Sequence, residues 1–361
     1  MSGPRVLLAA GGTGGHLFPA EALANVLNAR GAEVHLVSDE RAAAYAETFP
    51  APLHKVTSGT VTGKGLLGRF FGALKLAKGT KECLGLIDRL KPEIVVGFGG
   101  YPTVPPVYAA TMRKVPTVIH EQNGVMGRAN RYLAPRVTAI ATGFPLSDST
   151  HAAKSTVVGN PVRPPVLAAA EGPFQPVGPD GVLDLLVFGG SQGARVMSDV
   201  VPAALALLPQ EARARIRLTQ QARGEDLDRV VAAYAALGLP ADVQPFFKDM
   251  PARIAAAHLV ISRSGASTVA ELSVIGRPSI LVPLPGSLDQ DQAANARVLE
   301  AAGGAILELQ PNFTPDWLAG QINTFLAAPQ TLADMAGKAR SVAMPDAAER
   351  LADLVFATAR R

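Results

Sequence analysis

The sequence predicts an α/β protein built from two doubly wound, Rossmann-like domains, and three observations predict it. Short Val/Ile/Leu runs alternate with helical stretches along the chain, the alternation restarts near Leu183, and in each half the first run leads directly into glycines. Runs of this kind, separated by helices, are what strands buried in a parallel sheet require. At 361 residues the chain is also too long for one ordinary core.

In the first half, Val6–Ala10, Val34–Val37, Ile94–Phe98 and Thr117–His120 read as strands, with a helix from about Ala20 to Arg30. In the second half the strands are Leu183–Phe188, Ile216–Thr219, Val243–Phe246, Leu259–Ser262 and Ser279–Val282. Val158–Pro165, followed by a Pro- and Gly-rich stretch to Gly181, reads as the hinge. The expected domains are residues 1–160 and 161–344, facing each other across a cleft. The segment Pro345–Arg361 has a helical pattern and suits packing on either domain.

Composition narrows the class. The lone Cys83 excludes an internal disulfide framework and a Cys-rich metal site, and fits a reducing compartment. Arg5 is followed only by the short apolar run to Ala10, which is no secretory signal. No apolar stretch approaches the ~18 residues of a membrane span, so a cytoplasmic location is expected. Residues 1–163 hold 18 Lys and Arg against 10 Asp and Glu, a net +8, and the remainder holds 16 against 20, a net −4. A basic first half points to a polyanionic surface, nucleic acid or anionic lipid headgroups.

Three loops carry anion-binding character. Gly11-Gly12-Thr13-Gly14-Gly15-His16 joins the first strand to a helix, where glycines let a ligand approach the backbone and the helix start offers unpaired N–H groups. It departs from a dinucleotide fingerprint because Leu17 stands at the third glycine position, although Asp39 imitates the ribose-binding acid. Gly189–Arg195 repeats the arrangement in the second half, with Ser191 as an added donor. Arg263–Glu271 follows another strand, and Ala266, Ser267 and Thr268 open its helix while Glu271 lies one turn further in.

Together with Gly99-Gly100-Tyr101, His120-Glu121-Gln122-Asn123 and Asn160-Pro161-Val162-Arg163, these blocks resemble the family 28 glycosyltransferases of the GT-B architecture. The resemblance covers essentially the whole chain, and His120–Asn123 and Asn160–Arg163 are its most specific parts. It implies transfer of N-acetylglucosamine from UDP-N-acetylglucosamine to lipid I, a polyprenyl-diphosphate-linked muramyl pentapeptide, forming lipid II for peptidoglycan. It implies that the C-terminal domain holds the donor: Ser191 and Arg163 on the diphosphate, Ala266 to Glu271 around phosphate and ribose, the backbone near Phe247 on the uracil edge, and Gln292 with Asn295 toward the sugar. Thr13, Gly14, Gly15 and Asn123 are expected to reach the donor from the first domain. The reaction implied is an inverting displacement, for which His16 and Glu121 are alternative bases and Tyr101 and His120 orient the acceptor. No cofactor and no metal are expected, and Asp289-Gln290-Asp291 reads as an accidental imitation of a metal-binding DxD.

Between Lys64 and Lys81 the chain carries Lys64, Arg69, Lys75, Lys78 and Lys81 without an acid, interleaved with Leu66, Leu67, Phe70, Phe71, Leu74 and Leu76. That pattern suits shallow insertion into an anionic leaflet, and it favours a lipid surface over nucleic acid. The expectation is a peripheral protein on the cytoplasmic face of the inner membrane. The alternative pattern is a core helix with a solvated basic side. Other functions open at this point are a UDP-sugar 2-epimerase, an NAD-dependent oxidoreductase and a nucleotide-sugar sensor.

Overall fold

A computed structural model describes residues 3–11, 14–40, 42, 48–59, 66–146, 148, 150–178, 180–190, 193–287 and 290–360, with the side chains of 66, 67 and 69 excepted. Thr13, Lys64, Ser191 and Asp289 therefore lie outside the described residues. The chain divides into two compact units, Met1–Arg163 with Pro345–Arg361, and Pro164–Met344.

Unit 1 runs β1 (Arg5–Ala9), α1 (Gly14–Ala29), β2 (Glu33–Ser38), β3 (Leu53–Lys55), α2 (Leu66–Leu90), β4 (Ile94–Gly97), α3 (Val104–Met112), β5 (Thr117–Glu121), α4 (Arg128–Leu133), β6 (Ala139–Thr142) and β7 (Ser155–Val157). Its sheet is parallel in the order β3-β2-β1-β4-β5-β6-β7. Alternation along β1 sends Val6 and Leu8 into one core with Leu17, Leu23 and Leu27, and Leu7 and Ala9 into another with Cys83, Ile87 and Val107. Burial pushes the Cys83 thiol up to about 12, so it packs as a small hydrophobe.

Unit 2 runs α5 (Pro164–Ala169), β8 (Leu183–Phe188), α6 (Arg195–Leu207), α7 (Gln210–Ala214), β9 (Ile216–Gln221), α8 (Leu227–Ala236), β10 (Ala241–Gln244), α9 (Met250–Ala256), β11 (Leu259–Ser262), α10 (Ala266–Ile275), β12 (Ser279–Leu281), α11 (Asp291–Ala302), β13 (Ala305–Leu307), α12 (Pro315–Ala327) and α13 (Gln330–Ser341). Its sheet is parallel in the order β10-β9-β8-β11-β12-β13. The chain then returns to unit 1 as α14 (Ala347–Ala359), where Leu351, Ala352 and Val355 pack with Val6, Leu8 and Leu23.

Several expectations shift. The passage between units falls after Arg163 rather than after residue 160, so Pro161, Val162 and Arg163 belong to unit 1. Helix α1 begins at Gly14, ahead of the expected Ala20, and β10 ends at Gln244, so Pro245–Phe247 is a loop. Strands β3, β6, β7 and β13 escaped the sequence reading. They are three or four residues long, and β3 and β7, at one edge each, are only partly buried, which leaves no sustained apolar run to read. Among the described residues no helix is long and apolar enough to cross a membrane.

Candidate functional site

In each unit the predicted loops meet at one place. Strand order reverses between β1 and β4 in unit 1 and between β8 and β11 in unit 2. Crevices outside the carboxyl ends of strands at such reversals are where doubly wound sheets bind ligands. Gly11 and the start of α1 follow β1, Gly99–Tyr101 follows β4, Gly189, Gly190 and the start of α6 follow β8, and Arg263–Gly265 leads from β11 into α10.

His16, on the first turn of α1, spans the unit 1 reversal. Its Nδ1 lies 3.2 Å from where a Cβ on Gly11 would stand, and its ring edge lies 3.4–3.5 Å from the corresponding points on Gly99 and Gly100. Gly99 and Gly100 take φ of 84° and 76°, a left-handed backbone that side chains avoid. The imidazole is thus bedded on three glycines while remaining partly exposed. Thr103 fixes the second loop by donating to the Gly99 carbonyl at 2.6 Å, and Tyr101 stands partly exposed at its end. Gly14 and Gly15 sit partly to fully exposed at the start of α1.

In the block His120–Asn123 the first three residues are buried and Asn123 is partly exposed. His120 is wholly buried and donates from Nε2 to the Gly159 carbonyl at 3.0 Å, and burial takes its pKa down to about 4. Glu121 is 2% exposed. Its Oε1 accepts from the backbone N–H and side-chain amide of Asn123, both at 3.0 Å, and its Oε2 accepts from Gly127 N–H at 2.9 Å and Asn130 Nδ2 at 2.8 Å. Burial raises the Glu121 pKa against the pull of those bonds. Gln122 donates to the Phe98 carbonyl at 2.8 Å, and Asn160 donates to the Gln122 carbonyl at 2.9 Å. A Cβ on Gly143 would stand 2.1 Å from Asn160 Oδ1, so the amide needs a glycine beside it. The two most specific sequence blocks are therefore joined through the Asn160 amide.

Arg163 ends unit 1 rather than opening unit 2. Its guanidinium carbon lies 3.8 Å from the Phe18 ring centroid. Nearby Glu21 has its pKa raised by burial, an effect the Arg163 charge opposes.

In unit 2, α6 and α10 start from Ala194 and Gly265, which supply no side-chain cap, and an uncapped helix start of this kind can receive an anion. Gln221 ties two loops together, accepting from Gly189 N–H and donating to the Pro245 carbonyl, each at 3.2 Å. Buried Arg263 donates to the carbonyls of Val282 at 3.0 Å and Pro283 at 2.8 Å and to Gln310 Oε1 at 2.6 Å. Burial, then the charge of Arg223, lowers its pKa. Ser267, Thr268 and Glu271 are partly exposed on α10, whereas Ala266 is buried. The Phe247 ring is buried beneath Arg253, whose guanidinium carbon is 4.1 Å from its centroid.

Residues 6–142 match the model of the glycosyltransferase family 28 N-terminal domain, and residues 184–351 match that of the family 28 C-terminal domain. The chain belongs to glycosyltransferase family 28. It is 56% identical to the UDP-N-acetylglucosamine–N-acetylmuramyl-(pentapeptide) pyrophosphoryl-undecaprenol N-acetylglucosamine transferase of Chelativorans sp. (strain BNC1), over 99% of this chain and 96% of that protein. It is 58% identical to the protein of the same name from Methylobacterium sp. (strain 4-46), over 99% and 97%. The crystal structure of Acinetobacter baumannii MurG superposes with a TM-score of 0.79 at 30% identity, over 98% of this chain and 99% of that one. The GT-B fold is the family 28 fold, as the sequence predicted.

Within this family 28 chain, three site expectations change. Glu121 is no base, because both oxygens are buried and engaged by four donors. His120 cannot orient an acceptor, because it is wholly buried and bonded to Gly159. Asn295 does not reach toward a sugar: it is buried and donates to the Ser264 carbonyl at 3.2 Å. Gln292 is partly exposed, with Oε1 accepting from Leu284 N–H at 3.0 Å. Sequence reasoning missed Phe18, Asn130 and Gln221, whose partners lie on other elements and leave no local signal.

Proposed function

We propose that the chain transfers N-acetylglucosamine from UDP-N-acetylglucosamine to the 4-hydroxyl of the muramyl sugar in lipid I, with inversion, yielding lipid II and UDP. Near full-length identity of 56–58% to enzymes so named carries this reading. The acceptor oxygen bonds to the anomeric carbon as the bond from that carbon to the UDP β-phosphate oxygen breaks. The hydroxyl proton passes to His16, which the glycine bed holds in a fixed orientation with its ring partly exposed. Charge developing on the departing diphosphate is met by the uncapped starts of α6 and α10 and by Arg163, without a metal. Glu271 takes the ribose hydroxyls.

The same reading places unit 1 against the anionic leaflet at the cytoplasmic side of the inner membrane. Phe70 and Phe71 are each 60% exposed and Leu74 is 50% exposed on α2, flanked by exposed Lys75, Lys78 and Lys81. Incubation with UDP-N-acetylglucosamine and a short-chain lipid I analogue is expected to release UDP and form the disaccharide lipid. UDP-N-acetylmannosamine as sole product would instead identify an epimerase, and UDP binding without turnover a sensor.

A further inference from the structure

We infer that Phe18 is a positioning residue for diphosphate recognition, acting through Arg163; this rests on the reading above that Arg163 meets the donor diphosphate. Among the described residues Arg163 makes no hydrogen bond and no ion pair, and its Nε is buried without a partner. A buried guanidinium donor left unpaired is costly, and an incoming anion relieves that cost. What holds the group instead is the Phe18 face at 3.8 Å from the ring centroid, a close cation–π contact.

The choice of an aromatic holder has a chemical consequence. A carboxylate would neutralise the guanidinium and compete for its N–H fork, whereas a ring fixes the plane and leaves charge and donors available. Glu21, on the next turn of α1, senses the Arg163 charge yet forms no ion pair with it. Gly14, one turn before Phe18, belongs to the same device: a Cβ there would stand 3.0–3.1 Å from two atoms of the Phe18 ring. The first glycine loop thus makes room for the ring as well as for a ligand, and α1 carries both His16 and the support of Arg163.

The test is a double-mutant cycle in the full chain, reading UDP affinity by calorimetry, donor KM and kcat, acceptor KM, and thermal midpoint. Phe18→Leu is expected to weaken UDP binding and raise donor KM about tenfold. Phe18→Tyr, which keeps the face, is expected to recover most of that loss. In the Arg163→Ala background Phe18→Leu should add nothing, because the contact it removes is already gone. Losses that multiply across the two sites, or a Phe18→Leu protein with unchanged UDP affinity beside an impaired Arg163→Ala, would overturn the role of Phe18 and leave the transferase reading standing. An Arg163→Ala protein with unchanged UDP affinity, or one impaired only in acceptor KM, would overturn both the inference and the assignment of Arg163 to the donor. Should Phe18→Leu lower the thermal midpoint, Phe18→Met supplies an unbranched apolar replacement for the same cycle.

Discussion

At the scale of single residues, two histidines sit in opposite surroundings. His16 lies on glycines and stays partly exposed, and on the proposed reading it takes the acceptor proton. Replacing it with Ala is expected to lower kcat about 10²- to 10⁴-fold while UDP affinity changes little, measured by turnover and calorimetry. An unchanged kcat would remove His16 from the chemistry. His120 is buried neutral with a pKa of about 4 against 6.5 for the free side chain. Between those values the unfolded chain binds a proton that the folded chain refuses, so stability falls as pH drops from about 6.5 toward 4. The loss is on the order of 3 kcal/mol and levels off below pH 4. Denaturant melts of the whole chain and of His120→Gln across that window check it: the variant should show a shallower acid slope, and identical slopes would rule out His120 as the titrating group.

At the scale of elements, α2 resolves two patterns that the sequence left in competition. Its C-terminal part is a core helix, with Cys83, Leu86 and Ile87 buried, while Phe70, Phe71 and Leu74 near its start are exposed. Gly79 serves close approach: a Cβ there would stand 1.9 Å from the Thr57 carbonyl oxygen, and Thr57 N–H bonds Glu82 at 2.7 Å. On the proposed reading the exposed basic and apolar start meets an anionic leaflet, each lysine contributing about 1 kcal/mol near the surface. The Lys78–Glu82 pair at 3.9 Å is exposed and withdraws little of that charge. Changing Phe70 and Phe71 to Ser and Lys75 and Lys78 to Glu together is expected to abolish sedimentation with anionic vesicles. It should slow turnover on a full-length polyprenyl acceptor and spare a soluble short-chain acceptor. Equal loss on both acceptors would point to misfolding, and unchanged sedimentation would move the membrane face elsewhere.

At the scale of the molecule, charge is divided between the units: residues 1–163 carry +8, residues 164–344 carry −4, and the returning segment 345–361 is neutral. On the proposed reading, positive potential for a departing diphosphate comes from Arg163 and from the helix starts of α6 and α10. On that reading, fixed dipoles and a guanidinium do the work a divalent ion would otherwise do. Excess EDTA is therefore expected to leave most of the turnover rate intact. Complete loss, restored by Mg²⁺ or Mn²⁺, would revive Asp289–Asp291 as metal ligands.

The sequence alone determined the two parallel sheets, the glycine loops at their strand ends and the family, because strands buried on both faces need unbroken apolar runs and because glycine loops are local features. It also marked His120–Asn123 and Asn160–Arg163 as distinctive without showing that they bond to each other. Only the tertiary structure decided which polar residues face outward. Glu121 and His16 are both plausible bases as residue types. Separating them takes Asn123, Gly127 and Asn130 around one, and Gly11, Gly99 and Gly100 beneath the other. Phe18 and Arg163 stand at opposite ends of unit 1 in sequence, and neither carries a pattern that names the other. Burial and side-chain pairing arise from how elements stack, and that information is spread over the whole chain rather than held in any one segment of it.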